Sequence, residues 1–395
     1  MVRGSGLGAM ACAARLARSE ALAGRTVLAG PRADTTARLL GGCTLRARAL
    51  DYFALAFGTT RMELVDDLFG PRAEGAATYR QLASSVALRG EGFRLGRLGE
   101  WIRAEHESPV FALAFGLRNA HLKSRLESRL DALGVERVDE APATLAECRA
   151  LSPGENTLVV NADDRPLEDL AQKREAVGWV VASQVALRRG SRERDDQRDV
   201  PILSPGDSLI TTTRSNSGLD MGVFYPFADP LTPSADYYGI YYRIVAKGEK
   251  AREREHQQAL RSTVTGVARA AGLFPTATEQ TLGEATVPRY RAAPTTSTPG
   301  VLQLQQISDA CTPIIAGDGM TRAGLAGWLA ARAILAGEDP AEALRIGLER
   351  WRKANRNLAF ALTHGAVLTR PLLRVAPGPS VRFLADVPDM WAAVG

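Results

Sequence analysis

A glycine-rich segment near the start of the chain has the residue types and spacing of a dinucleotide-binding turn. The segment GSGLGA, residues 4–9, fits the pattern G-x-G-x-x-G/A and leads into an alanine-rich stretch. The first glycine makes the turn, the second lets backbone approach a pyrophosphate, and the small residues let the helix pack closely. We therefore expect Gly4, Gly6, Gly8 and Ala9 to bind a cofactor, with a purely structural turn as the alternative.

The second predicted strand lacks the acid that usually completes such a site. In dinucleotide-binding folds an Asp or Glu about 20 residues after the turn holds a ribose hydroxyl. Here the strand ends in the residues LAGPR, 28–32. Arg32 is either a phosphate ligand or an exposed loop arginine, and the sequence favours the loop arginine.

A second glycine motif lies near residue 320. An apolar strand ends in Gly317-Asp318-Gly319, and a helix rich in small residues, including Gly324, follows. In a flavin site such an aspartate accepts hydrogen bonds from ribityl hydroxyls, and the helix N-terminus stabilises negative charge on the reduced ring. We expect Gly317, Asp318 and Gly324 to bind the cofactor.

A third segment, LVVNADDR at residues 158–165, delivers two carboxylates at the end of an apolar strand. Paired carboxylates suit acid–base catalysis or a metal ion. Because no histidine lies nearby, we expect a strand-end turn beside the nucleotide and no metal site. No residue is assigned a catalytic role.

Aromatic residues concentrate in the middle of the chain. Strand alternation places Tyr238 and Tyr242 on one face of segment 237–246, and Tyr237 and Tyr241 with Arg243 on the other. We expect Tyr238, Tyr242 and Tyr225 to bind substrate, with ordinary strand packing as the alternative. His121 is a weaker candidate for a base than for a packing residue.

The elements around these residues predict an α/β protein. Alternating helices and strands at both ends flank a middle rich in Val, Ile, Thr and Tyr, where strands are expected at 177–187, 208–213, 221–227 and 237–246. This order predicts a Rossmann-like nucleotide-binding domain interrupted by a mostly antiparallel substrate sheet, with a C-terminal helical segment. We expect the first domain to comprise residues 1–75, 111–170 and 300–340, the substrate domain 76–110 and 171–299, and the helical segment 341–395.

Composition excludes several classes of protein. The net charge is +5, but the signs alternate along the chain, and nucleic-acid binding needs a patch of one sign. Four scattered cysteines argue against a disulfide framework or zinc site and are typical of a reducing cytoplasm. No apolar run is long enough to span a bilayer. We expect a cytoplasmic protein that binds neither membrane nor nucleic acid.

The order GxGxxA, then Val-Val-x-Ala-Asp, then Gly-Asp, around an inserted sheet, resembles the FAD-dependent aromatic hydroxylase fold. More specifically, the segments Arg38-Leu39-Leu40 and VPRYR at 287–291 resemble the oxygenase component of styrene and indole monooxygenases. The resemblance implies FAD as cofactor, with Arg38 near the flavin and Arg118 or Asn119 making a polar contact to FAD. The chain departs from the family in its Gly-Asp loop, which has no proline and is short.

The resemblance further implies a flavin monooxygenase. Reduced FAD would react with O2 to give a C4a-(hydro)peroxide, which transfers one oxygen atom to an apolar aromatic or alkene substrate. A separate flavin reductase is the expected partner, and direct reduction by NAD(P)H stays open. The alternatives are another enzyme of the flavin fold (a reductase, halogenase or redox-neutral cyclase) or a non-catalytic nucleotide-binding protein. The sequence lacks the segment Trp-x-Trp-x-Ile-Pro that is typical of halogenases.

Overall fold

The structure is a computed structural model, and it describes only part of the chain. The described residues are 1–33, 44–69, 85–90, 102–105, 110–112, 118–152, 157–163, 165, 167–170, 176–189, 207–215, 218–225, 237–270, 273–275, 283–290, 298–304 and 318–349.

Within these residues the chain forms fifteen strands. They are β1 Val2–Arg3, β2 Val27–Ala29, β3 Thr44–Arg46, β4 Ser85–Gly90, β5 Ile102–Glu105, β6 Val110–Ala112, β7 Glu136–Val138, β8 Val159–Asn161, β9 Ala176–Arg189, β10 Asp207–Ser215, β11 Gly218–Tyr225, β12 Tyr237–Ala246, β13 Leu273–Pro275, β14 Gly283–Tyr290 and β15 Val301–Leu302.

The same residues form eight α-helices and one 3-10 helix, Lys247–Arg252. The α-helices are α1 Leu7–Ala17, α2 Ala47–Phe57, α3 Arg61–Phe69, α4 Arg118–Ala132, α5 Leu145–Ala150, α6 Glu253–Ala270, α7 Asp318–Ala336 and α8 Pro340–Gly347.

The first sheet is parallel and has the order β15-β8-β1-β2-β7. Strand β1 is central: it pairs with β2 on one side and with β8 on the other. Because the chain leaves β1 toward β2 and later returns to the opposite side at β8, the strand order reverses at β1. Open α/β sheets bind ligands at the carboxyl ends of the strands at such a reversal.

The second sheet has the order β13-β9-β12-β11-β10-β4-β5, and β14 also pairs with β9. Its neighbours are antiparallel except β4 and β10, which run parallel over 85–90 and 207–212. Helix α6 packs on this sheet against β9, β12 and β13. Strands β3 and β6 form a separate, two-stranded antiparallel sheet.

The predicted fold class is confirmed: the chain is α/β, with a Rossmann-like parallel sheet and a mostly antiparallel second sheet. The predicted strand 237–246 has the observed bounds. The other predicted strands of this sheet, 177–187, 208–213 and 221–227, are observed as 176–189, 207–215 and 218–225. Residues 301–302, in the expected third part of the first domain, add an edge strand to the parallel sheet. The strand expected before Gly317 lies outside the described residues, and the domain boundaries stay predictions.

Within the described ranges, no helix is long and apolar enough to cross a membrane. The described residues also hold no group of three or more His, Cys, Asp or Glu side chains placed to bind a metal ion.

Candidate functional site

The glycine turn lies at the carboxyl edge of the parallel sheet, where the strand order reverses. Gly4 follows β1 with a φ of +119°, a conformation that L side chains rarely adopt. Its N–H donates to the carbonyl oxygen of Ala29, and a Cβ atom here would lie 2.8 Å from the carbonyl carbon of Ala162. The turn is therefore held between the ends of β2 and β8.

Gly6 lies at the start of α1 and faces open space. It is the N-cap residue, and a Cβ atom built on it would meet no heavy atom of the described residues within 4 Å. The first turn of α1 carries no acidic residue. The first N–H groups of a helix lack intrahelical partners and carry the positive end of its dipole, so this end suits an anionic group.

Helix α7, which begins at Asp318, packs against the first turns of α1. A Cβ atom on Gly8 would lie 3.2 Å from the Ala323 carbonyl oxygen, and one on Gly327 would lie 2.9 Å from the Cys12 nitrogen. The first turn of α1 thus contacts the second turn of α7. The glycine turn and the helix that follows the Gly-Asp motif, more than 300 residues apart in sequence, are therefore in contact.

Other predicted residues of these motifs have packing neighbours in the structure. Ala9 is fully buried within α1. Gly324 lies against α2, where a Cβ atom would come 3.3 Å from both Phe53 and Tyr52. Their expected cofactor contacts stay predictions. Arg38 and Gly317 lie outside the described residues. Asp318 is the first residue of α7.

The position of the missing ribose acid has no room for a side chain. A Cβ atom on Gly30 would lie 2.8 Å from the carbonyl carbon of Gly4 and 2.9 Å from the nitrogen of Ser5. The Gly30 N–H donates to the Val138 carbonyl oxygen at 2.8 Å, which continues the pairing of β2 with β7. The glycine turn therefore lies directly on the end of β2.

Charged side chains surround the segment that follows Gly30. Arg32 is exposed, and its Nε donates to Asp139 Oδ1 at 3.1 Å, while Nη1 lies 3.6 Å from Asp131 Oδ2. The Ala33 N–H donates to both carboxylate oxygens of Glu127 at 3.2 Å. Two carboxylates thus neutralise Arg32, which agrees with the loop arginine that the sequence favours over a phosphate ligand.

Beneath this segment, Glu127 of α4 forms a buried ion pair with Arg137 of β7. Arg137 Nη2 donates to Glu127 Oε1 at 2.9 Å, and the Arg137 side chain is only 4% exposed. Arg137 Nε and Nη1 are buried and have no hydrogen-bond partner among the described residues. Buried donors without a partner are rare in folded proteins, and a bound water molecule is a common way to satisfy them.

The carboxylate segment after β8 forms a structural network. Arg3 of β1 is buried and donates to Asn161 Oδ1 at 2.9 Å and to the carbonyl oxygens of Pro142 and Arg165. Asp163 accepts from the Arg165 N–H at 2.8 Å. Burial raises the pKa of Asp163, but the hydrogen bonds from Arg165 and the charge of Arg3 outweigh it, so its pKa is lowered. Asp163 therefore stays ionised in a strand-end turn, as expected.

The three predicted substrate tyrosines occupy related positions in the second sheet. Tyr225 and Tyr238 are directly opposite each other across β11 and β12, and Tyr242 is opposite Met221. Directly opposed residues share a face, as do residues two and four apart along a strand. The register therefore brings all three positions to one face of the sheet.

The opposite face carries a buried ion pair and α6. Asp220 and Arg243 are cross-strand partners joined by two hydrogen bonds of 2.6 and 2.7 Å. Thr263 of α6 donates to Asp220 Oδ2 at 3.2 Å, and Tyr241 is fully buried on this side. Since α6 covers the Tyr241 face, the Tyr242 face points away from it, which confirms the predicted alternation.

The remaining sequence candidates lie on α4. Arg118 and Asn119 are its first two residues, and His121 follows in the same turn. Helix α4 contacts α1 and ends in the turn that leads into β7. The predicted contact of Arg118 or Asn119 with the cofactor stays a prediction.

A cleft of about 450 Å³ opens at the other end of the parallel sheet. Its lining includes Met1, Thr26 and Leu158, which precede or begin β1, β2 and β8. It therefore lies at the amino ends of the strands, away from the glycine turn.

No protein-family model matches the chain, and no curated protein matches it in sequence. Solved structures match along nearly its whole length. FqzB has a TM-score of 0.57 at 13% identity, covering 100% of this chain and 93% of that chain. The chain has a known fold. A geranylgeranyl bacteriochlorophyll reductase-like protein from Thermoplasma acidophilum has a TM-score of 0.54 at 12% identity, covering 98% of each chain. CtdE, solved with FAD and a substrate, has a TM-score of 0.52 at 10% identity, covering 95% of this chain and 89% of that chain.

The charged residues at the edge beyond β2 were not predictable from local sequence patterns. Glu127, Arg137 and Asp139 come from a helix and strand about 100 residues after Arg32, and only the fold brings them together. One signal was present: Gly30 stands where an acid is usual, which indicates a different local geometry.

Proposed function

We propose that this chain is a FAD-dependent monooxygenase. The observation that carries the proposal is the open position at Gly6, at the uncapped start of α1 and at the reversal of strand order. The fold is shared with CtdE, which was solved with FAD.

The residues at this edge fit a flavin dinucleotide. Gly6 leaves space where a pyrophosphate has to approach the backbone, and the start of α1 supplies N–H donors. Helix α7 packs against α1 and begins at Asp318, and we propose that this residue holds the ribityl chain. The remaining residues of the proposed FAD site either contact the cofactor or support the turn. They are Gly8, Ala9, Arg38, Arg118 or Asn119, Gly317 and Gly324.

The substrate is proposed to lie against the sheet face that carries Tyr225, Tyr238 and Tyr242. Several neighbouring positions on this face are apolar, including Val223 opposite Ile240 and Ala182 opposite Tyr242, while Gln184 opposite Ile240 adds a polar group. An apolar surface with tyrosines suits an aromatic or alkene substrate and excludes water from it.

When bound, reduced FAD supplies the electrons that activate O2, so that one oxygen atom enters the substrate and the other leaves as water. The chain's own residues then bind the dinucleotide and orient the substrate. A separate flavin reductase is the proposed source of reduced FAD, as the resemblance to styrene and indole monooxygenases implies.

The test is an incubation of the purified protein with chemically reduced FAD, ¹⁸O2 and a panel containing styrene and indole. Mass spectrometry should show a product that carries one ¹⁸O atom. The variant Tyr242→Ala should lose product while binding FAD normally, and Tyr241→Phe, on the opposite face, should keep it. Bound FAD without incorporated ¹⁸O contradicts monooxygenation.

A flavin reductase is the second candidate. The reductase-like structure from Thermoplasma acidophilum matches this chain over 98% of both lengths. The same incubation without oxygen separates the two, because a reductase converts an alkene to its saturated product and a monooxygenase forms no product.

A further inference from the structure

The end of β2 and the end of β7 form one continuous edge beside the glycine turn. The Gly30 N–H donates to the Val138 carbonyl oxygen, so the two strands stay paired up to their last residues. Asp139 is the next residue after Val138. It therefore lies one strand further from β1 than Gly30, at a separation of about 4.8 Å between neighbouring strands.

The Asp139 carboxylate is exposed to solvent, and a hydrogen bond from Arg32 fixes its orientation. Its side chain is 70% exposed, and Oδ1 accepts from Arg32 Nε at 3.1 Å. A carboxylate has about four acceptor positions, and this contact uses one of them. The group can therefore accept hydrogen bonds from a ligand while Arg32 holds it in place.

A second observation points to a polar ligand at the same edge. Arg137 lies in β7, two residues before Asp139, which follows the end of that strand. Arg137 is buried and leaves Nε and Nη1 without a partner, although Nη2 is bound by Glu127. Glu127 also holds the Ala33 N–H, which draws the segment after β2 toward α4.

We infer that Asp139 replaces the missing acid of β2 and accepts hydrogen bonds from the adenosine ribose hydroxyls of the bound dinucleotide. Position 30 cannot carry the acid, because a Cβ atom there would lie 2.8 Å from Gly4. The carboxylate is therefore supplied by the neighbouring strand. This inference rests on the proposed binding of FAD.

The test combines a variant of Asp139 with an analogue of FAD that lacks the adenosine ribose hydroxyls. FAD and its analogue built on 2′,3′-dideoxyadenosine are titrated against wild type, Asp139→Asn and Asp131→Asn, and binding is followed by flavin fluorescence. Asp131 is the matched control, because it also flanks Arg32 but belongs to α4. Thermal unfolding of each variant checks the fold.

Wild type and Asp131→Asn should prefer FAD over the analogue by about tenfold or more, as expected for a hydrogen bond to a charged group. Asp139→Asn should show a much smaller preference, because a neutral amide oxygen accepts a hydrogen bond more weakly than a carboxylate does. The inference is overturned if Asp139→Asn keeps the preference, if wild type shows none, or if Asp131→Asn loses it equally. If the wild-type protein binds neither ligand, the proposed function is overturned. This result is distinct from the outcomes that overturn only the inference about Asp139.

Discussion

Gly30 and Gly4 are in such close contact that a Cβ atom on Gly30 would lie 2.8 Å from the Gly4 carbonyl carbon. Gly30 directly follows β2, the strand that usually ends in the ribose acid. The absent acid is thus a consequence of the local packing, because the glycine turn occupies the space that its side chain would need.

Restoring the acid is therefore expected to harm the protein. Gly30→Glu and Gly30→Ala should both lower the free energy of unfolding, by about 1–3 kcal/mol for overpacking at a site that cannot relax. Urea denaturation checks this. Gly24→Ala is unsuitable as a control because its φ is +66°, so Gly248→Ala, where a Cβ atom meets nothing within 4 Å, serves instead. Equal effects at positions 30 and 248 would refute the packing argument.

The contact between α1 and α7 depends on Gly327. A Cβ atom there would lie 2.9 Å from both Ala11 Cβ and Cys12 N. Gly327→Ala should cost about 1–3 kcal/mol of stability, because two helix backbones would have to separate. The matched control is Gly266→Ala in α6, where nothing lies within 4 Å and the change should stabilise by about 0.4–1 kcal/mol. If both variants gained stability, or both lost it, the close helix contact at Gly327 would be contradicted.

The buried pair of Asp220 and Arg243 is expected to dominate the stability of the second sheet. Asp220→Asn leaves Arg243 charged and without its carboxylate, which costs about 3–5 kcal/mol in buried pairs. Chemical denaturation measures the loss. Glu342→Gln removes a carboxylate from the exposed pair with Arg345 and should change stability far less. A small effect at Asp220 would show that the pair is not a structural determinant.

Burial of Cys12 predicts a loss of stability at alkaline pH. Burial raises the pKa of this thiol from 9.0 to about 12. The folded state therefore favours the neutral thiol, and this contribution is complete below pH 9 and is lost as pH rises toward 12. Unfolding midpoints measured from pH 8 to 11 should fall less steeply in Cys12→Ala than in wild type. Parallel slopes would contradict this contribution.

Local patterns in the sequence predicted the glycine turn, four of the eight described strands of the second sheet and the alternation of Tyr241 with Tyr242. These features depend on neighbouring residues, whose spacing the sequence states directly. The parallel pairing of β4 with β10 was not predictable, because the two strands are more than 100 residues apart.

The edge beyond β2 was missed for the same physical reason. The sequence shows Gly30 but not that Gly4 fills its side-chain space, and it shows Asp139 but not its hydrogen bond to Arg32. Likewise, buried Arg3 became interpretable only with its partners Asn161 and Arg165. Contacts between distant segments decide each of these roles.

The central claim is that the open position at Gly6 receives the pyrophosphate of FAD. A methyl group at Gly6 would meet none of the described residues, and as an N-cap change it should cost about 0.5–1 kcal/mol. It would displace a bound phosphate from the N–H groups of α1.

The most direct measurement is therefore a fluorescence titration of wild type and Gly6→Ala with FAD. Wild type should bind one FAD per chain, and Gly6→Ala should bind about tenfold or more weakly, with an unfolding midpoint close to that of wild type. Wild type that binds no FAD, or a Gly6→Ala variant with unchanged affinity, would contradict the account.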